Sequence, residues 1–394
     1  MDHIVVTLVE DAGVRAGREA KIDTDFPGGN GQVEMLAGGR VRVRPDLRDT
    51  LTPWFYWCFR VTEAAGRRLE FDLGAENLGV RGPAVSRDGG RTWAWLGTPA
   101  DGTFVYEFPP DVSEVRFSVG MPYGLSDWQR FVAEAGGAGV WELGTLTRTR
   151  SGRDVPLVRI GGPRNPIGVA VTARHHACEM MASYVLEGLI AEWLSGSVCG
   201  RALRDRTDLL AVPFMDLDGV ERGDQGKNRA PHDHNRDYSA APIYPEVAAW
   251  MRTVPEWAGG RPLVLLDLHA PALRGPFHES IFFVGPEDRV QAERLERLCR
   301  HLAREARSAI ALGEPSTLPF GQGFNTASPD GRRTNSAWSA ALPNCLLGAT
   351  LETAYANASG AEVTADAARG FGRDLAAALL SWLDEMPSAV PACA

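Results

Sequence analysis

The chain has 394 residues, 44% of them hydrophobic and 23% charged, which is long for one compact domain and comfortable for two. A formal net charge of -9 weighs against a general nucleic-acid or anionic-membrane binder, since either would need a basic face. No stretch approaches the roughly 18 to 20 consecutive apolar residues that span a bilayer.

The N-terminal residues Met1 to Asp11 carry no basic region, and acids soon break their apolar run, so no secretory leader is expected. Six cysteines (Cys58, Cys178, Cys199, Cys299, Cys345 and Cys393) are scattered without a CxxC pair. They read as reduced thiols, and the cytoplasm is the default compartment.

From residue 1 to about 125 the pattern is all-β. Trp54 to Val61, Arg67 to Leu73 and Glu114 to Val119 are rich in aromatic and β-branched residues. Turn chemistry separates them at Asp88-Gly89-Gly90 and Pro109-Pro110. Strands spaced this way predict a sandwich-like N-terminal domain over 1–125.

Beyond about 150 the periodicity changes. Ile167 to Thr172, Leu209 to Phe214, Leu263 to Leu268 and Cys345 to Leu351 are short continuous apolar runs, as expected of strands buried on both faces. Met180 to Leu194, Arg289 to Ala311 and Ala365 to Leu383 have apolar residues at helical spacing, and Asp216 to Asp237 reads as loop. Alternating strand and helix predict an α/β catalytic domain over 126–394, with a mostly parallel (mixed) sheet flanked by helices.

Chemistry-bearing residues cluster at the ends of these predicted strands, where open α/β sheets place their ligand sites. After the strand ending at Thr172 come Arg174, His175, His176, Ala177, Cys178 and Glu179. A His and a Glu three apart at a helix start can point at one metal ion. Far downstream, Asp267-Leu268-His269 closes another buried strand and supplies a third candidate ligand. Two His and one Glu leave a fourth position for water, the arrangement of a catalytic zinc site. His175 is the nearer rival to His176, but only His176 has a Glu at the right offset.

These blocks resemble the zinc metallocarboxypeptidases, in particular the cytosolic carboxypeptidase (deglutamylase-like) branch. Arg174 to Glu179 resembles its Arg-x-His-Pro-Gly-Glu block, with Ala177 and Cys178 replacing Pro and Gly. Asp218-Gly219-Val220 with Asn235-Arg236, Asp267 to His269, and Thr350-Leu351-Glu352 resemble three further blocks. Asp25 to Asn30, the aromatic run at 54–61 and Met121 to Asp127 resemble the β-domain preceding the catalytic domain in that branch.

The resemblance implies one Zn2+ per chain held by His176, Glu179 and His269, and Glu352 as general base. It implies Asn235 and Arg236 as binders of the substrate's terminal carboxylate, which suits the planar guanidinium fork. It also implies a cation that polarises the scissile carbonyl. Arg229 is the first choice for it, with Lys227 and Arg222 behind, because the stretch from Gly223 to His234 departs from the family's pattern. His232 and His234 either line the pocket or make a second metal contact, and Asp267 either orients a ligand histidine or pairs elsewhere.

The expected activity is hydrolysis of the C-terminal peptide bond of a peptide or protein. Arg222, Lys227, Arg332 and Arg333 offer the means for a preference for acidic residues. The alternative is a zinc-dependent N-acyl amino acid amidohydrolase (aspartoacylase-like), which the preceding β-domain argues against. Neither nucleic acid nor membrane is an expected partner, and the sequence is silent on oligomeric state.

Overall fold

The computed structural model describes residues 4–6, 20–36, 40–97, 101–136, 139–275, 277–328 and 330–386. Cys393 and most of the stretch from Met1 to Asp11 lie outside the described residues.

Alternation of apolar and polar residues organises the N-terminal part. Its strands are β1 (Ile4–Val6), β2 (Ala20–Asp23), β3 (Gln32–Met35), β4 (Val41–Arg44), β5 (Cys58–Thr62) and β6 (Arg68–Asp72). The short β7 (Ala84–Ser86) and β8 (Ala94–Trp95) follow, then β9 (Thr103–Glu107) and β10 (Glu114–Ser118). They form one sheet in the order β1-β2-β5-β10-β7-β8 and a second in the order β3-β4-β6-β9. Leu69 and Phe71 of β6, and Phe104 and Tyr106 of β9, point inward at period two. There Phe71 and Phe104 meet Phe59 and Phe117 of the other sheet at ring separations of 5.0–5.4 Å. This aromatic layer between two sheets is the predicted sandwich-like arrangement.

The predicted strand at Trp54–Val61 begins later than expected, at Cys58. The reason is local. Tyr56 exchanges its backbone N–H and C=O bonds with the side chain of Gln225 (both 2.8 Å), so these groups are satisfied outside the sheet ladder.

Helix α1 (Leu125–Ala135) follows, and then an eight-stranded sheet. Its strands are β11 (Trp141–Arg148), β12 (Asp154–Ile160), β13 (Ile167–Ala173), β14 (Thr207–Val212), β15 (Leu263–His269), β16 (Ile281–Val284), β17 (Leu312–Leu318) and β18 (Cys345–Glu352). The order is β11-β12-β14-β13-β15-β18-β16-β17. Its centre, β14-β13-β15-β18, is parallel, while β11, β12 and β16 join antiparallel, so the sheet is mixed.

The helices of this part are α2 (Met181–Leu194), α3 (Val198–Arg206), α4 (Leu217–Arg222), α5 (Pro245–Ala258), α6 (Arg289–Glu305), α7 (Asn335–Ala340) and α8 (Ala365–Glu385). A small hairpin, β19 (Asn357–Ala358) with β20 (Ala361–Glu362), precedes α8. Alternate residues of β15 serve opposite faces. Val264 and Leu266 share a core with α2, α6 and α8, and Leu263 and Leu265 share one with α5 and Trp338 of α7. Helices α2 and α8 pack at backbone distance: a Cβ on Gly188 would lie 2.0 Å from Arg369 O, and one on Gly372 2.1 Å from Val185 O.

Two predicted elements need correction. The loop from Asp216 to Asp237 contains α4, capped by Asp216 accepting from Gly219 N–H, and a single 3-10 turn over His234–Arg236. The long helix predicted to Ala311 ends at Glu305, and the chain goes on into β17.

Candidate metal centre

Parallel strands bring their C-terminal ends to one edge of the sheet. Strand β13 ends at Ala173, β15 at His269 and β18 at Glu352. Immediately after β13 the backbone turns through Arg174, whose φ is 62°. The buried Arg174 guanidinium binds Ala177 O, Tyr123 O and Ser183 Oγ, and so braces the following turn from inside. His176 and Glu179 sit on that turn, at the entry to α2, as expected.

Three of the expected ligands converge. His176 Nδ1 lies 2.9 Å from Glu179 Oε1, and His269 Nδ1 lies 2.7 Å from Glu179 Oε2. The two Nδ1 atoms are 3.2 Å apart, and all three residues are buried. Two nitrogens bound to a tetrahedral Zn2+ at about 2.0–2.1 Å stand roughly 3.3 Å from each other, so the spacing fits that ion.

The outer nitrogens support the same reading. His269 Nε2 is 2.8 Å from Asp267 Oδ2, and His176 Nε2 faces Asp233 Oδ1 at 3.5 Å. The Asp267 carboxylate behind the His269 ring favours the proton on Nε2 and an inward Nδ1 lone pair, and Asp233 stands behind His176 at longer range. Asp267 is itself fixed by Thr172 Oγ1 at 2.8 Å and by His175 Nδ1 at 2.8 Å. Burial works against its charge, yet His175 and His269 hold its pKa below the usual carboxylate range.

His175, Asp267 and His269 form a second group with metal-ligand spacing. His175 Nε2, however, lies 2.6 Å from the Tyr238 hydroxyl and its Nδ1 faces Asp267, so both ring nitrogens have polar neighbours in the protein. Cys178 turns away from the centre. Its sulfur accepts from Trp54 Nε1 at 3.2 Å, and burial pushes the thiol up to about 12.

Glu352 is the register partner of His269 across β15 and β18. It is buried, and its Oε2 has no hydrogen-bond partner among the described residues. Burial, and next to it the Glu179 carboxylate, raise its pKa against the opposing pull of His269, Lys227 and His176.

The candidate cations separate sharply. Arg229 is enclosed by carboxylates, with Nε 2.9 Å from Asp49 Oδ2, Nη1 2.6 Å from Asp216 Oδ2 and Nη2 3.0 Å from Asp224 Oδ2. Arg222 also binds Asp224. Lys227 instead places Nζ 2.7 Å from Glu179 Oε1, inside the ligand cluster. Gly226 makes that approach possible: its φ is +80°, and a Cβ there would lie 2.1 Å from Ala177 N.

Asn235 is held against the centre, with Nδ2 3.2 Å from His269 Nε2 and Oδ1 accepting from Asn335 N–H at 2.9 Å. Arg236 donates to Asn235 O and has no carboxylate within ion-pair distance among the described residues. It lines a cavity of about 760 Å³ together with Arg332, Arg333, Thr334, Ser336 and Gly348. His232 and His234 are not in the cluster. His232 Nε2 is 2.6 Å from Asp237, and His234 stacks on Tyr244 at 3.7 Å.

Comparison with known proteins accords with this geometry. Residues 135–254 match the family model described as zinc carboxypeptidase. Over those residues the chain is similar to a zinc carboxypeptidase domain. Its relatives include cytosolic carboxypeptidase 2 of Xenopus tropicalis, 26% identical over 267 residues, covering 58% of this chain and 28% of that protein. Cytosolic carboxypeptidase 2 of Homo sapiens is 27% identical over 187 residues, covering 43% of this chain and 20% of that one. This chain therefore matches under a third of the length of these relatives.

Among solved structures, a metallo-carboxypeptidase from Pseudomonas aeruginosa, in complex with (2-guanidinoethylmercapto)succinic acid, has a TM-score of 0.72 at 26% identity, over 92% of this chain and 99% of that one. A metallo-carboxypeptidase from Burkholderia cenocepacia shares the fold, with a TM-score of 0.73 at 23% identity over 93% and 99% of the two chains. Zinc is the metal named for the matching family, and the buried His, Glu and His donors suit it.

Three contributors escaped the sequence reading. Asp233 stands behind His176, Asp49 accepts from Gln225 N–H and Gly226 N–H, and Trp54 touches Cys178. The position of Asp233, two residues before Asn235, was the one available signal. Asp49 and Trp54 come from the N-terminal part, and nothing in their local sequence points to residues far downstream.

Proposed function

We propose that the protein is a zinc-dependent metallocarboxypeptidase hydrolysing the C-terminal peptide bond of peptides or proteins. One observation carries this reading. The buried His176, Glu179 and His269 cluster adjoins Glu352, whose Oε2 is unpartnered, and the cavity on the same side of β18 has the carboxylate-free Arg236 in its wall. Thr350, two residues before Glu352 and so on the same strand face, donates to Ser336 of that cavity at 2.8 Å.

The residues then divide the work. Bound zinc supplies a Lewis acid that lowers the pKa of water to about 7. Glu352 takes the proton from the attacking water and hands it to the leaving amine. Arg236 and Asn235 hold the terminal carboxylate, which restricts cleavage to chain ends. Lys227 takes the place first considered for Arg229 and polarises the scissile carbonyl, because Arg229 is already neutralised by three carboxylates.

A preference for acidic C-terminal residues belongs to this proposal. Arg332 and Arg333 line the cavity beyond Arg236, and Arg333 has no ion-pair partner among the described residues. We also read residues 1–125 and 126–394 as the N-terminal and catalytic domains. The cytoplasm is the proposed compartment, supported by the free thiols at Cys58, Cys178, Cys199, Cys299 and Cys345 and by the name of the relatives. No described helix is long and apolar enough to cross a membrane.

A library of C-terminally varied peptides, including polyglutamate tails, digested by the zinc-loaded protein and read by mass spectrometry, tests the reading. Stepwise loss of single C-terminal residues, fastest for Glu and Asp, is expected. Release of acetyl or succinyl groups from N-acyl amino acids, with every peptide intact, would overturn it in favour of the amidohydrolase.

A further inference from the structure

Trp54 carries the N-terminal part of the chain to the metal centre. Trp54 donates its indole N–H to the sulfur of Cys178, the residue just before the ligand Glu179. The face of the same ring lies 5.2 Å from Lys227 Nζ. A cation over an indole face is held by the ring quadrupole, most strongly where water is excluded. Lys227 is in such a place, with its side chain 17% exposed and its ammonium 2.7 Å from Glu179 Oε1.

Composition adds an independent observation. Of 41 Lys and Arg residues, only Lys21 and Lys227 are lysines. A chain that otherwise uses arginine almost everywhere carries lysine in the cleft. An ammonium is a compact point charge with rotatable donors, whereas a guanidinium is a broad planar fork. Lys227 puts that compact charge between Glu179 Oε1 and the face of Trp54.

We propose that Trp54 is a positioning residue for the carbonyl-polarising cation: its indole face fixes the Lys227 ammonium beside the metal ligands. The N-terminal part then completes the active centre rather than merely flanking it. Its anchoring is correspondingly firm, because Gln225 and Gly226, the residues leading into Lys227, are tied to Tyr56 and Asp49 of that part. The kinetic consequence rests on the carboxypeptidase reading above; the contact between Trp54 and Lys227 does not.

The test uses the full chain, zinc-loaded, with 13C-labelled lysine. Two lysine side-chain spectra result, and the Lys227 ε-methylene is expected upfield of that of Lys21 by the indole ring current. In Trp54→Leu the Lys227 signal should return to the ordinary position while Lys21 stays put. Zinc content should be unchanged, and kcat should fall about 3- to 30-fold at constant KM, the range a partly desolvated cation–π contact supplies.

Trp54→Phe keeps an aromatic face without the N–H donor and should recover most of the rate; it also serves if the leucine variant does not fold. In a Lys227→Ala background, Trp54→Leu should cost nothing further. Three results would each overturn the proposal: an undisplaced Lys227 signal in the wild type, unchanged kcat in Trp54→Leu, or an equal loss in the Lys227→Ala background. A wild type that cleaves no peptide defeats the carboxypeptidase reading instead, and the lysine spectra still decide the contact.

Discussion

His269 and Glu352 stand opposite each other on the adjacent parallel strands β15 and β18. Ladder register sets the candidate metal ligand and the proposed proton acceptor side by side, each at the last residue of its strand. Buried sheet positions move little, so the pair is preorganised by the fold rather than by a loop.

Replacing Glu352 by Gln should separate its role from that of the metal ligands. Zinc stoichiometry is expected to stay at the wild-type value, while kcat falls by about 10²- to 10⁴-fold, the usual cost of removing a general base. Elemental analysis beside steady-state kinetics checks both. Wild-type turnover would remove Glu352 from its role.

His269→Ala should lose zinc outright. Asp267→Asn should weaken binding by about 10- to 100-fold, because the carboxylate that sets the ring's tautomer is gone while the ligand remains. Competition with a zinc chelator measures both affinities. An Asp267→Asn protein with wild-type affinity would place the carboxylate outside the metal's support.

Lys227 and Arg229 should respond in opposite ways. Lys227→Ala is expected to lower kcat by about 10²- to 10³-fold with little change in melting temperature. Arg229→Ala leaves Asp49, Asp216 and Asp224 facing one another and should cost about 3–5 kcal/mol of stability, as breaking a buried ion pair does. Denaturant unfolding of the two variants decides the assignment; the reverse pattern would restore Arg229 as the catalytic cation.

The Arg229 cluster also predicts a pH dependence. Burial opposes the charge on Asp216, but Arg229, His234 and the Gly219 N–H overcome it and lower the pKa below 3.8. The stabilisation is therefore fully present above pH 3.8 and lost as the pH falls through the lower folded value. The stability gap between wild type and Asp216→Asn should close as the pH falls below about 4. A gap that persists at the acid end would contradict the assignment.

Much of the chemistry was legible because it is local. His176 and Glu179 are three residues apart, and His269 and Glu352 each close a continuous apolar run, so strand ends could be read directly from the sequence. The resemblance to known carboxypeptidases added Glu352, Asn235 and Arg236. Arg229 was ranked above Lys227 because a sequence gives residue types without saying which charges are already neutralised. Asp49 lies 180 residues from its partner Arg229, and no periodicity connects them. Trp54 to Tyr56 carry strand-like composition, but Gln225 takes the backbone hydrogen bonds of Tyr56 that a ladder would need.

By itself, the sequence determined most of the elements, the sheet's buried strands and the three candidate metal donors, because burial periodicity and ligand type are properties of neighbours along the chain. Only the tertiary structure decided which cation stays available, which carboxylate stands behind each histidine, and that an indole from the first sixty residues borders the cleft. Those outcomes depend on distances across the fold, where electrostatic neutralisation and packing act irrespective of separation along the chain.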